Sequence, residues 1–446
     1  MTERAQEQNP VGVSGDLRAK QAGEVRARWA WTEPAVWTER MLTALEGGVK
    51  GGKWFSLIDK VYALANLRAA FVRVKRNGGV AGVDHQTVEH FERRLEGNLQ
   101  ELSQALREGS YRPQANWRKW IPKPGSKEKR PLGVPTVRDR VVQGALRQVM
   151  EPIFERDFAE QSYGFRPERG CKDALRRVED LLKRGNTWVV DADLKGYFDS
   201  IPRGLLMERV EEKVADGRVL ALLRAFLEQK VMDTMREWTP EGGTPQGAVI
   251  SPLLANIYLD PLDHRMAERK AEMVRYADDF VILCASRQEA EQVLEEVRQW
   301  VEEAGLQLHP EKTRIVDARQ EGFDFLGYHF QLGTRWPRKK SLAKLKDAIR
   351  TKTRRTHAHS LSRIILGVNR TLVGWFEYFK HSHWTAFPRL DSWIRRRLRS
   401  ILRKRQHRKG GAWRSDNRRW TNAFFAKQGL FSLVTAHALA RQSFTR

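Results

Sequence analysis

The chain has 446 residues, 41% of them hydrophobic, and a formal net charge of +25. Its length allows about two to four domains with separate cores, while the lack of any run of about eighteen apolar residues excludes a membrane-spanning helix. The two cysteines, Cys171 and Cys284, are too few for a disulfide framework or for a zinc site with paired cysteines. We therefore predict a protein of a reducing cytoplasm with no membrane partner.

The first half of the chain predicts helices followed by strands. Residues 1–50 are polar and Gly-rich without a sustained period, which predicts a partly disordered leader. From residue 54 to about residue 110, apolar positions recur every three or four residues and predict helices. Prolines exclude helix over residues 118–137, where strands and turns are predicted, and a helix follows.

Two strands stand out in the middle of the chain, within the runs TWVVDADL and MVRYADDFVILCAS. Helical patterns separate and follow them, so the strands have to pair across long sequence distances. This arrangement predicts an α+β fold with an antiparallel sheet. After Gly333 the pattern becomes helical and basic, with one apolar stripe in LSRIILGVNRTLVGWFEYFK that faces a core.

The positive charge is concentrated in the last quarter of the chain. Residues 331–446 contain 29 Lys and Arg but only 4 Asp and Glu, an excess equal to the whole net charge of +25. The same region contains tryptophans at positions 336, 375, 384, 393, 413 and 420. A solvated basic tail would not carry these side chains, so a folded domain that binds a polyanion through its phosphates is favoured.

Asp278 and Asp279 are adjacent carboxylates in an apolar strand, RYADDFVIL. Such a pair is either an ordinary turn between strands or a divalent-metal site, because buried carboxylates repel each other without a cation. On the strand WVVDAD, Asp191 and Asp193 share one face. A surface or capping role is favoured for Asp191 and for Asp199, whereas Asp193 completes three carboxylates on two strands, as two Mg²⁺ ions require.

The sequence blocks around these aspartates follow a fixed order. They read NGGVAGVD, WIPKPGSKEKRPLGVPTVRDRVVQ, QSYGFRPERGCKDAL, DADLKGYFDSI, GGTPQGAVISPLLANIYL, RYADDFVIL, LQLHPEKTRIV and FDFLGYHF, followed by the apolar stripe LSRIILGVNRTLVGWFEYFK. In this order they resemble the reverse transcriptase and maturase proteins encoded by bacterial group II introns, from about Trp54 to the C-terminus. A lone YADD would be a weak indication, but the whole series is specific.

The resemblance implies a right-hand polymerase fold of fingers, a palm with an antiparallel sheet, and an α-helical thumb. The implied domains are a leader over 1–50, an N-terminal extension over 51–110, fingers and palm over 111–335, the maturase or thumb domain over 336–394, and a basic helical DNA-binding segment over 395–446. A bacterial cytoplasmic location follows from the same family.

Site residues are carried over from the matching motifs. The resemblance implies that two Mg²⁺ ions are held by Asp193, Asp278 and Asp279, with the backbone carbonyl of Leu194 as a further ligand. It implies that the dNTP substrate contacts Lys123, Arg130, Phe198 and Gln246. The Phe198 ring would lie under the sugar and exclude a 2′-hydroxyl, although core packing is its ordinary interpretation.

The tail resembles the DNA-binding segment of family members without a nuclease. A zinc-bound HNH nuclease needs cysteines, and none follows Cys284, so neither that nuclease nor zinc is expected. The expected nucleic-acid contacts are Arg395, Arg396, Arg397, Arg399, Arg403, Lys404 and Arg405. His407 and His437 are interpreted as structural or phosphate-facing residues.

The implied function is RNA-directed DNA synthesis for intron mobility by target-primed reverse transcription, together with binding of the group II intron RNA to assist splicing. Template RNA and primer or target DNA are the other partners, and a homodimer stays open. One alternative is an RNA-dependent RNA polymerase, against which YADD in place of GDD and Phe198 both argue. A splicing-only maturase and a reverse transcriptase recruited to host repair or defence are further alternatives.

Overall fold

The computed structural model of the chain describes residues 23–122, 129–233, 236–240, 242–408 and 414–443. Lys123 lies outside the described residues, so its predicted nucleotide contact stays a prediction. The described strands, in chain order, are β1 (Asn116–Pro122), β2 (Lys129–Val134), β3 (Trp188–Asp193), β4 (Val231–Asp233), β5 (Arg236–Trp238), β6 (Glu272–Tyr276), β7 (Asp279–Cys284), β8 (Arg314–Asp317), β9 (Phe323–Phe325), β10 (Tyr328–Gln331) and β11 (Thr334–Pro337).

Helices make up most of the remaining described chain. They are α1 (Glu39–Gly47), α2 (Ile58–Tyr62), α3 (Leu64–Asn77), α4 (Val88–Arg93), α5 (Leu95–Glu108), α6 (Val137–Glu155), α7 (Cys171–Lys183), α8 (Tyr197–Ser200), α9 (Arg203–Glu211), α10 (Gly217–Leu227), α11 (Ser251–Glu268), α12 (Arg287–Glu303), α13 (Lys339–Lys352), α14 (Leu361–Phe379), α15 (Ala386–Arg405), α16 (Arg414–Arg419), α17 (Asn422–Lys427) and α18 (Leu433–Ser443). Hydroxyl side chains cap several of them, as Thr136 does for α6 and Ser286 for α12. The α+β class predicted from the sequence is confirmed.

The central sheet has the order β6-β7-β3-β8, with every pair antiparallel. One face packs on α11 and α12 in the largest core, and the other packs on α7 and on the sheet formed by β9, β10 and β11. Because both faces are covered, β7 is buried along Phe280–Cys284 and reads as a continuous apolar run. An aspartate at the end of such a strand therefore lies at the border of the core.

A second sheet has the order β2-β1-β4-β5 and includes the strands of the predicted fingers motifs, so we name it the fingers sheet. Its longest pairing is between β1 and β2, where Ile121 lies opposite Arg130. The loop that precedes α11 approaches this sheet closely, since the Gly133 amide donates to the Gln246 carbonyl at 2.7 Å. The two segments thus form one wall of the cavity described below.

The predicted leader over residues 1–50 is corrected for its second half. Trp29, Trp37 and Leu42 are buried in the main core, and the Trp37 indole donates to the Gln148 carbonyl at 2.9 Å. Residues 23–50 are therefore folded against α6. Although the stretch is polar overall, its two buried tryptophans contribute enough apolar area to hold it against the core. Residues 1–22 lie outside the described part.

The predicted boundary between residues 394 and 395 is also corrected, because α15 runs unbroken across it. Ile394, Leu398 and Ile401 on this helix share one core with Trp420 and Phe425 from the shorter helices that follow. The boundary predicted between 335 and 336 likewise falls inside β11. The C-terminal region is thus one helical domain, and its basic segment is part of that domain's core-forming helix.

Candidate active site

Three of the predicted carboxylates meet where β3 ends and β7 begins. β6 and β7 are joined by a two-residue turn, Ala277 and Asp278, and Ala277 has a φ of 60°. A positive φ at the first turn position suits the right-handed twist of a tight hairpin. In the register of β3 and β7, Asp193 lies directly opposite Asp279. The sequence prediction that these three residues come together is therefore matched by the backbone.

Burial and mutual repulsion act on the carboxylates of this cluster. Burial, followed by the nearby charges of Asp191, Asp278 and Asp193, raises the pKa of Asp279 to about 7. Burial also raises the pKa of Asp278, and it raises that of Asp191 to about 6 even though the Arg314 guanidinium opposes the shift. Asp191 is a mid-strand residue of β3 and not a cap. The carboxylates of the cluster therefore repel one another, and a bound cation would stabilise their charged forms.

Two basic side chains approach the cluster from β8 and the loop before it. Lys312 Nζ lies 2.5 Å from Asp193 Oδ2, and Arg314 Nε lies 3.4 Å from Asp191 Oδ2. Within the described ranges, no group of three or more His, Cys, Asp or Glu side chains is already arranged to hold a metal ion. A divalent ion at Asp193 has to compete with the Lys312 ammonium. Leu194 follows in a bridge with Leu308, and its role as a ligand stays a prediction.

A buried arginine that the sequence analysis missed supports the turn. Arg275 and Asp263 are both fully buried and form an ion pair, in which Arg275 Nε donates to Asp263 Oδ1 at 2.7 Å. The remaining Nη1 of Arg275 donates at 3.0 Å both to the Ala277 carbonyl and to Asn256 Oδ1. The Arg275 guanidinium thus connects helix α11 to the turn that contains Asp278. A charged residue inside an apolar strand was the available signal.

A glycine closes the other side of the same turn. A Cβ atom at Gly164 would lie only 2.3 Å from the Ala277 nitrogen, so no side chain fits there. The Gly164 carbonyl accepts a hydrogen bond from Asn256 Nδ2 at 2.8 Å, and the Tyr163 amide donates to the Arg275 carbonyl at 2.8 Å. The segment containing QSYGF therefore packs against the aspartate turn and holds it in place. We name Arg275, Asp263, Asn256 and Gly164 the turn brace.

A cavity of about 520 Å³ lies between the fingers sheet and the loop before α11. Gln246 lines it and donates through Nε2 to Asp199 Oδ2 at 2.9 Å. Burial raises the pKa of Asp199, an effect that the charge of Arg118 opposes. Gly247, with φ 103°, packs against the Gly133 carbonyl, where a Cβ atom would lie at 2.4 Å. The volume and the mixture of polar and backbone groups suit a small-molecule ligand.

The other predicted nucleotide contacts in the described chain fall near this cavity or on the fingers sheet. Phe198, in α8, is half-buried, and its ring packs edge-on against Tyr197 at a centroid distance of 5.5 Å. Its carbonyl accepts from the Thr244 amide at 2.7 Å, which ties α8 to the loop that carries Gln246. Arg130 is exposed on β2. Direct contact of these residues with a nucleotide stays a prediction.

The basic residues predicted to contact nucleic acid divide into two groups on α15. Four of them have partners within the chain: Arg395 lies 3.9 Å from Asp391, Arg397 donates to Thr353, Arg399 donates to the Trp420 carbonyl at 2.8 Å, and Arg403 pairs with Asp416 at 3.3 Å. Arg396, Lys404 and Arg405 are exposed, although Arg405 also donates to the His359 carbonyl. The second group is the one available to a ligand.

Comparison with known families covers most of the described chain. A family model described as reverse transcriptase (RNA-dependent DNA polymerase) matches residues 121–330, and a model described as the maturase-specific domain of group II introns matches residues 342–420. The first range contains all three clustered aspartates. No helix among the described residues is long and apolar enough to cross a membrane.

Two curated relatives are similar over long stretches. Protein YkfC of Escherichia coli (strain K12) is 35% identical over 342 residues, covering 68% of this chain and 85% of YkfC. The group II intron-encoded protein LtrA of Lactococcus lactis subsp. cremoris is 35% identical over 214 residues, covering 48% of this chain and 35% of LtrA. Among solved structures, a partial Cas6-RT-Cas1–Cas2 complex is 24% identical over 55% of this chain and 42% of that chain, with a TM-score of 0.36.

Proposed function

The chain belongs to the group II intron-encoded reverse transcriptase and maturase family, and we propose that it synthesises DNA on an RNA template at Asp193, Asp278 and Asp279. The observation that carries this proposal is the register of β3 and β7, which sets Asp193 opposite Asp279 beside the turn of Asp278. Carboxylate oxygens brought together from neighbouring strands are the donor set that hard divalent cations favour.

The three aspartates would hold two Mg²⁺ ions, which when bound activate the primer 3′-hydroxyl and neutralise charge on the leaving pyrophosphate. The chain's own residues contribute to catalysis by holding the three carboxylates in position. The turn brace fixes Asp278, and strand pairing fixes Asp193 against Asp279, so little reorganisation is needed when a primer end and a nucleotide arrive. In the reaction, the 3′-hydroxyl attacks the α-phosphate in line and pyrophosphate departs.

We assign the cavity beside Gln246 to the incoming dNTP. The exposed Arg130 guanidinium on β2 would contact the triphosphate from the fingers side, together with Lys123. Gln246 and the glycines around it allow the backbone to approach the nucleotide closely. Phe198, anchored to the same loop, would lie under the sugar.

RNA-templated primer extension tests this function. The wild-type chain is incubated with a DNA primer annealed to an RNA template, dNTPs and Mg²⁺. We expect full-length complementary DNA, and no product when a chelator removes the metal. Failure to incorporate dNTPs on RNA, under conditions where the primer-template is bound, would overturn the assignment.

Replacing Phe198 by Ala is expected to relax selection against ribonucleotides. Removal of the half-buried ring opens space for a 2′-hydroxyl, and a steric filter of this kind is worth about 10- to 100-fold in selectivity. The measurement is kcat/KM for a single rNTP and the matching dNTP on one RNA template. An unchanged ratio of the two values would remove Phe198 from the nucleotide site.

Intron RNA binding is the second function that we propose for this chain. It is supported by the maturase-domain match over residues 342–420 and by the charge excess of the same region. We place both activities in a bacterial cytoplasm. A splicing-only maturase would accelerate splicing of its intron RNA without extending a primer, so the two assays performed on one preparation separate the candidates.

Exposed basic residues on α15 are expected to set part of the salt dependence of target-DNA binding. Replacing Lys404 by Gln should lower the slope of log K against log salt by about 1, because one phosphate contact is lost. The control is Arg287→Gln on α12, whose side chain is exposed and paired with Glu291. Equal slopes for the wild type and Lys404→Gln would show that Lys404 makes no phosphate contact.

A further inference from the structure

A groove of about 880 Å³ in the C-terminal helical domain combines aromatic and basic side chains. It lies between the end of β11, helix α13, the 384–385 loop and the start of α15. The side chains that define it are Trp336, Trp384, Trp393, Lys346, Arg389 and Arg396. No Asp or Glu is among its described lining residues. We name this feature the tryptophan groove.

The groove contains one exposed tryptophan, Trp384, beside two partly buried ones, Trp336 and Trp393. Trp384 is 55% exposed, which is unusual for the largest apolar side chain. The His383 ring is close to two of these indoles, with its centroid 5.6 Å from that of Trp336 and 5.7 Å from that of Trp384. Trp336 is fixed by a hydrogen bond from its Nε1 to Thr385 Oγ1 at 3.3 Å. The result is a short aromatic platform at the surface.

The cations of the groove form no ion pair within the described part of the chain. Arg389 and Arg396 are exposed, and neither they nor Lys346 form an ion pair with any described residue. Neighbouring guanidiniums are instead committed elsewhere: Arg350 pairs with Asp347, and Arg397 donates to Thr353. The three lining cations are therefore left for a ligand of opposite charge.

We propose that the tryptophan groove binds an unpaired segment of RNA. Bases stack on the Trp384 and Trp336 rings, while Lys346, Arg389 and Arg396 contact the phosphates. Stacking needs a free base face, which a continuous duplex does not offer, and aromatic platforms lined by cations are the usual means of binding single strands. An apolar peptide would cover the rings but leave three cations without partners.

The choice of RNA rests on the proposed function. All lining residues except Trp336 and Pro337 fall in the range that matches the maturase-specific domain. Within that function, the proposal specifies the form of RNA that the groove recognises, namely unpaired nucleotides and not the surface of a helix. The groove would be an intron-binding site distinct from the polymerase centre at Asp278.

The probe is a fluorescent oligouridine of about twelve nucleotides, titrated into the full chain already saturated with an RNA–DNA primer-template. Replacing Trp384 by Ala should weaken oligouridine binding by about tenfold, since one base stack is lost, whereas Trp384→Phe should retain most of it. Arg389→Gln should weaken binding and flatten its salt dependence. Leu366→Ala, at a residue 54% exposed on α14 and outside the groove, is the matched control.

Primer extension is measured on each variant, so the two proposals fail separately. Loss of oligouridine binding in Trp384→Ala with extension unchanged supports the groove. Equal affinity of the wild type and Trp384→Ala overturns it, as does tighter binding of an RNA duplex or of single-stranded DNA of the same length. Absence of extension in the wild type would instead count against the proposed polymerase function.

Discussion

Replacing Asp278 by Asn is expected to lower RNA-templated DNA synthesis by about a thousandfold or more. The amide keeps the shape of the side chain but removes the charge that would hold a divalent ion. Stability should be unchanged or slightly higher, because burial raises the pKa of Asp278 and the neutral amide escapes that cost. Single-turnover incorporation of one dNTP and a thermal unfolding curve measure the two quantities.

The matched control is Asp180→Asn, at a half-buried carboxylate on α7 that pairs with Arg184 and lies outside the aspartate cluster. This variant should extend primers at the wild-type rate. Splicing of the intron RNA should survive in Asp278→Asn, because the tryptophan groove and α15 are untouched. Extension by Asp278→Asn within tenfold of the wild type would contradict the catalytic assignment.

Replacing Arg275 by Met is expected to destabilise the fold by about 3–5 kcal/mol, since it leaves the fully buried Asp263 without its partner. The double variant Arg275→Met/Asp263→Leu removes both charges and should recover most of that stability. The hydrogen bond from Arg275 to the Ala277 carbonyl is still absent in the double variant. We expect its kcat to stay about a hundredfold low, because Asp278 is no longer held in place.

This pair of variants separates positioning from folding. Asp216→Asn is the control, because the buried Asp216 carboxylate accepts from the amides of Leu57 and Ile58 and from that of Val219 at the start of α10. It should lose stability yet keep the wild-type kcat on a folded preparation. A double variant that is as stable and as fast as the wild type would show that the turn does not need the turn brace.

The aspartate cluster could be predicted from the sequence because two local rules determine it. A strand period of two puts Asp191 and Asp193 on one face, and a two-residue hairpin places Asp278 and Asp279 at a strand border. The family blocks then supplied the pairing of the two strands.

The residues that surround and hold the aspartate cluster could not be predicted in the same way, because their partners lie on other elements of the chain. The sequence does not indicate a partner for Arg275, and only its pairing with Asp263 on α11 shows that the charge is buried. Lys312 reaches Asp193 from 119 positions away. Local composition also gave wrong expectations at both ends of the chain. Trp37 is buried although the stretch around it is polar, and Arg399, in a basic run expected to contact nucleic acid, donates to the Trp420 carbonyl inside the domain.

Direct titration of Mn²⁺ tests most directly whether the paired ends of β3 and β7 are the metal centre of a polymerase. The chain is bound to an RNA–DNA primer-template with an unreactive dNTP analogue, and bound Mn²⁺ is counted by electron paramagnetic resonance. We predict about two ions per wild-type chain and loss of this binding in Asp279→Asn. Equal Mn²⁺ binding by both proteins would contradict the assignment.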